Sequence, residues 1–170
     1  MRNKMLWKLF SVCVLAVWFS GCAAVLSDRV LEQSEPAISF QDLQKSAVNY
    51  NGRMVILGGT IIKINHEPTG SVIEILQRPL GYRLEPESGD QTEGRFLVRA
   101  NRVVEEQIFR TGRPITVAGI ISGQESRKLD QTTYEYPVIS LEEFHLWPEP
   151  PAYEDRNPRV FLNFGLFGTF

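Results

Sequence analysis

The two thiols of this 170-residue sequence are Cys13 and Cys22, and Cys22 follows directly on Ser20-Gly21. Small residues ahead of a cysteine let a peptidase approach the backbone, so the stretch Phe19-Ser20-Gly21-Cys22 has the makings of a processing site. Other chemistry is sparse. A metal site built on histidine needs two or three ligands with supporting partners. His66 lies at a turn beside Glu67, His145 lies near Glu142-Glu143, and nothing in the sequence joins the two. Ser71 and Ser122 lack the G-x-S-x-G context of a strained nucleophile. The pairs Glu105-Glu106 and Glu142-Glu143 have the groups for acid–base work, but adjacent carboxylates usually line a wet face. The pair Gly58-Gly59 would admit a ligand close to the backbone, yet no helix start follows to bind a phosphate. The reading is therefore not an enzyme: catalytic residues none, metal ligands none, cofactors none.

The segment ahead of Cys22 carries Arg2, Lys4 and Lys8, then an apolar run from Leu9 to Phe19 broken only by Ser11. That run is about ten residues, which suits a secretory leader and falls short of the roughly 20 that a spanning helix needs. The pattern resembles the lipobox of bacterial lipoproteins, with Phe19 where that motif prefers Leu. The resemblance implies that residues 1–21 are a signal peptide and that Cys22 becomes the lipid-attachment site and mature N-terminus. One acyl chain anchors only reversibly, so stable attachment takes two or more. Lipoproteins retained at the inner membrane usually have Asp after the cysteine; Ala23 here implies the outer membrane.

Removal of the leader leaves about 149 residues, enough for one domain. Three of the 18 basic residues leave with it, against 20 acidic residues that stay, so the mature charge is about −5. A nucleic-acid partner, which needs clustered positive charge, is not expected. With Cys13 in the leader and Cys22 alkylated, the mature chain has no thiol for a disulfide.

Residues 22–36 read as a lipidated N-terminus and polar tether, with charged or polar Asp28, Arg29, Glu32, Gln33 and Glu35. Ser39 is placed to cap a helix by accepting from the N–H of Asp42, with Phe40, Leu43 and Ala47 on the buried stripe. Five strands follow: 53–65, 71–77, 96–100, 115–122 and 134–147. The Gly58-Gly59 pair predicts a bend that lets the first strand serve two sheets, as in a small closed barrel. The stretch 79–94 reads as a long exposed loop, 101–110 as a short helix with Val104 and Ile108 inward, and 123–133 as a polar hairpin loop. Pro137 predicts an edge or a bulge in the fifth strand. A helix, three strands, a short helix and two strands is the order of an OB-like five-stranded Greek-key barrel, mainly β, over residues 37–148. An open sheet with two helices is the alternative.

The segments Gly112-Arg113-Pro114-Ile115-Thr116-Val117-Ala118-Gly119, Tyr134-Glu135-Tyr136-Pro137-Val138-Ile139 and His145-Leu146-Trp147-Pro148 resemble the Slp family of outer-membrane lipoproteins, as do Tyr50-Asn51-Gly52, Gly58-Gly59 and the leader. The resemblance implies a lipoprotein of the outer membrane, associated in that family with starvation; the periplasmic face is the expected side. It carries over no catalytic residue. Two functions stand: a non-enzymatic structural or interaction protein of the envelope, or a periplasmic small-ligand or glycan-binding module using a barrel face. Tyr134, Tyr136, Phe144 and Trp147 on the last strand supply the stacking surface that the second would use. Their burial would favour the first. The tail 149–170 holds Pro150, Pro151 and Pro158, then alternating Val160, Leu162, Phe164 and Leu166. It is expected to be a segment apart from the barrel, with an envelope protein as its possible partner.

Overall fold

Ser39 sets the start of the folded core. Its hydroxyl accepts from the Asp42 N–H at 3.2 Å and donates to the Asp42 carboxylate at 2.6 Å, which holds that carboxyl below its usual range. The structure, a computed structural model, describes residues 25–129 and 131–149. In chain order it contains α1 (Asp28–Gln33), α2 (Phe40–Ser46), a 3₁₀ turn (Ala47–Tyr50), β1 (Met54–Glu67), β2 (Gly70–Arg78), β3 (Arg95–Ala100), β4 (Pro114–Leu129) and β5 (Thr132–Leu146). The strands close into a barrel in the order β1-β2-β3-β5-β4. All pairs are antiparallel except β3–β5, a parallel seam of Leu97, Val98 and Arg99 against Val138, Ile139 and Ser140. The expected OB-like barrel is present, and the open-sheet alternative is not.

Alternation along the strands sends one set of side chains inward. Val55, Leu57, Ile61, Ile73, Ile75, Phe96, Val98, Ile115, Val117, Ile121 and Ile139 form the main core, with Phe40, Leu43 and Ala47 of the α2 segment packed into it as expected. Phe40 meets Phe96 edge-on with ring centroids 5.9 Å apart. β1 runs within one closed sheet, where Gly58–Thr60 pair with β2 on one side and β4 on the other. The irregularity itself falls between Ile61 and Lys63, past the glycines. One extra residue there changes the phase, so Ile64 as well as Ile61 packs on the core.

Three expectations are corrected. Residues 101–110 form a turn and no helix. The carbonyl of Glu105 accepts from the N–H groups of both Ile108 and Phe109, and the pattern goes no further. Ile108 is exposed, and Phe109 takes its place in the core. The Ser71 hydroxyl fixes this segment by accepting from the Val104 N–H at 3.1 Å. Next, the polar stretch 123–133 is mostly paired backbone, since β4 and β5 continue in register out to Leu129 and Thr132. Polar side chains on both faces of that ribbon hide its period of two. Finally, the chain expected as a tether is folded from Leu26 onward. α1 lies across the outer face of β1 and β4, burying Leu26 and Val30 against Met54 and Ala118. A six-residue helix is marginal alone, so this packing is what forms it.

Candidate functional site

Barrels of this topology offer the outer face of β2, β3 and β5 as a platform. Here that face holds Val72, Leu97, Tyr136 and Val138, all at or below 5 % exposure, with Tyr134 half-buried beside them. The Tyr134 and Tyr136 rings meet edge-on at 4.7 Å. The Tyr134 hydroxyl accepts from the Gln44 amide at 2.6 Å and the Arg95 N–H at 2.9 Å. The Tyr136 hydroxyl donates to Glu74 at 3.2 Å, and Arg95 reaches the same carboxylate oxygen at 2.9 Å. Burial pushes the Tyr136 phenol up, and the Glu74 charge adds to it. The hydrogen bond to Glu74 raises Arg95 further above its ordinary range. Beside this triad, Glu125 receives Arg127 and Arg99, each at 2.7 Å, and Arg99 also reaches Glu67 at 3.3 Å. The Arg127 hydrogen bond, with Arg99 behind it, holds the Glu125 carboxyl below its ordinary value. Every aromatic and charged group named on this platform is engaged within the chain.

The four aromatics do not share a face. The β4–β5 register shifts between Ala118 and Gly119, where β5 carries Glu142 as an extra residue. That bulge inverts the alternation along β5. Tyr134 and Tyr136 therefore face outward, whereas Phe144 packs inward against Phe109 with centroids 4.9 Å apart. Trp147 lies past the strand end. It meets His145 edge-on with ring centroids 4.6 Å apart, and its indole N–H donates to Thr116 at 2.9 Å.

The remaining candidates are scattered. His66 contacts the Ser71 hydroxyl at 3.0 Å and Glu106 at 3.1 Å, well apart in partnership from His145. Glu143 receives both the N–H and the hydroxyl of Ser27, at 2.9 and 2.7 Å, and Glu142 meets Arg29 at 3.7 Å. These acids latch α1 onto the barrel, a role that the sequence does not disclose. Ser122 donates to the Val138 carbonyl at the β4 bulge. Among the described residues no group of three His, Cys, Asp or Glu side chains could hold a metal ion. A shallow depression of about 340 Å³ lies where β3 and β5 diverge, lined by Asn101, Arg102, Glu142, Glu143 and Phe144 among others. It is open to solvent and lined mainly by polar groups, unlike an enclosed ligand pocket. Cys22 and the tail 150–170 lie outside the described residues.

A family model described as the outer membrane lipoprotein Slp family matches residues 19–166. The chain belongs to the Slp family. Its place is thus the outer membrane, as a lipoprotein. Among similar proteins, an uncharacterized protein of Haemophilus influenzae is 29% identical over 142 residues, covering 82% of this chain and 76% of that protein. An uncharacterized lipoprotein, YeaY, of Escherichia coli is 24% identical over 132 residues, covering 78% and 68%. Among solved structures, a small single-stranded DNA-binding protein of Streptomyces coelicolor aligns with 56% of the chain and 94% of its own at 15% identity, with a TM-score of 0.36. No helix among the described residues of this Slp protein is long and apolar enough to cross a membrane.

Proposed function

We propose that this Slp protein is a non-enzymatic structural or interaction module of the envelope, anchored in the periplasmic leaflet of the outer membrane by diacylated Cys22 and expressed under starvation. The observation that favours the structural or interaction reading over a glycan-binding one is the closed platform: Tyr136 is 2 % exposed and its hydroxyl is committed to Glu74. A glycan-stacking face needs aromatic rings in solvent, and here the outward pair is packed and hydrogen-bonded. The family match begins at residue 19 and so includes Ser20-Gly21-Cys22, which supports the anchor. The tail beyond Glu149 is the contact segment for an envelope protein. Its bulky residues alternate, as a strand added to a partner's sheet would require.

The test is Cys22→Ser in whole cells. The variant is expected to stay unprocessed or to leave the outer-membrane fraction. A variant still cleaved and still pelleting with the outer membrane would overturn the anchor. Immunoblots of wild-type cells through starvation check the expression reading, with constant levels counting against it.

A further inference from the structure

The loop joining β2 to β3 carries a small rigid promontory. Leu80 bridges to Pro86, the Gly81 N–H donates to the Glu85 carbonyl at 2.8 Å, and the Glu87 N–H donates to the Pro79 carbonyl at 2.8 Å. Leu84 adopts φ 63°, a left-handed conformation that costs a branched residue energy and persists only where surroundings enforce it. They do so here: Thr116, fully buried, donates its hydroxyl to the Leu84 carbonyl. The Leu84 side chain packs on the Leu26–Val30–Met54–Ala118 cluster. At the tip of this braced loop stand Tyr82, which is 102% exposed, and Arg83, also exposed and without an ion pair among the described residues. A fully solvated aromatic ring on a rigid, strained loop has no role in the packing of this chain.

Its position suggests one. Val25 packs on the same four-residue cluster as Leu84, so the start of the folded chain and the base of the loop share one face. Only residues 23–25 separate Cys22 from buried Leu26. Four residue steps span at most about 14 Å. With the lipid on Cys22, a span this short would hold this face toward the leaflet. Trp147 belongs to the same region, donating to the Thr116 hydroxyl that in turn holds Leu84. Tyrosine and tryptophan favour the level of lipid headgroups, and an adjacent arginine draws anionic ones.

We infer that the Tyr82-Arg83 tip is a second membrane contact, seated in the headgroups of the leaflet that holds the Cys22 lipid. The inference rests on the anchor proposed above. To test both, the full chain carrying Tyr82→Cys or Val48→Cys is purified in its processed form, reacted with an environment-sensitive thiol fluorophore and reconstituted into phosphatidylethanolamine–phosphatidylglycerol vesicles. Val48, an exposed residue in the 3₁₀ turn, is the control. The wild type, whose Cys22 is thioether-linked, is expected not to react. The probe at 82 is expected to emit blue-shifted light and to be quenched several-fold more by nitroxide-bearing lipid than the probe at 48. Equal quenching at both positions with an unreactive wild type overturns the membrane contact and leaves the anchor standing. A wild type that reacts overturns the anchor, and this inference with it.

Discussion

Gly58 and Gly59 are neighbours in sequence, yet the surroundings separate them. A Cβ at Gly59 would collide with the Leu76 carbonyl and with Ile75 Cγ2, so it meets backbone that the β1–β2 ladder holds in place. At Gly58 a Cβ would meet Leu80 Cδ2, the free end of a flexible side chain. Neither glycine occupies the left-handed region. Overpacking costs about 1–3 kcal/mol, and an immovable carbonyl puts Gly59→Ala at the upper end. Reduced freedom of the unfolded chain returns about 0.5–1 kcal/mol in either variant. Gly59→Ala is thus expected to lose about 2 kcal/mol net, and Gly58→Ala to be close to neutral as Leu80 rotates away. For a domain of this size 1 kcal/mol moves Tm by about 4 °C, so the two variants should melt about 8 °C apart. Circular dichroism melts of a soluble form beginning at Ala23 measure this directly. Equal losses, or a larger loss at Gly58, would refute the steric reasoning.

Removing residues 23–36 exposes Met54 and Ala118, and the loss of Leu26 and Val30 burial should lower stability by about 3 kcal/mol in urea unfolding. Were residues 37–148 as stable alone, α1 would not be part of the domain. Glu125 is bound more tightly as the anion when folded, so its contribution is present above the ordinary value of 4.5 and is lost as pH falls through its lower folded pKa. Melts between pH 6 and pH 3 should therefore show a shallower decline for Glu125→Gln than for the wild type. Deleting residues 159–170 from a form that also lacks the lipid should reduce its crosslinks to envelope proteins; an unchanged crosslink pattern would rule out the tail as a contact.

What the sequence disclosed was local or strongly periodic. The Ser39 cap, the Phe40–Leu43–Ala47 stripe and the inward residues of five strands need only nearest neighbours to be recognised. What it hid depends on distant partners. α1 exists because Leu26 and Val30 find Met54 and Ala118, residues of strands that lie far along the chain. The apparent helix at 101–110 drew on the spacing of Val104 and Ile108, but the competing bond from Val104 to Ser71 fixes the backbone another way. The bulge at Glu142 carries no composition signal, and it alone divides the β5 aromatics between two faces. In the promontory the sequence offered one hint, an aromatic and an arginine amid a loop otherwise rich in Gly, Pro and acids.

The parallel seam sets a schedule for how this chain matures. The chain is made N-terminus first. β1, β2 and β3 emerge early and pair as a meander, but β1 finds its second neighbour only once β4 is out, and β3 only once β5 follows. Until Ser140 is available, both outer edges of the meander or its successor expose unpaired N–H and C=O groups. The cylinder cannot close on the emerging chain; it closes on the nearly finished one. The interval between those moments is when the unfinished chain is most open to edge-to-edge association.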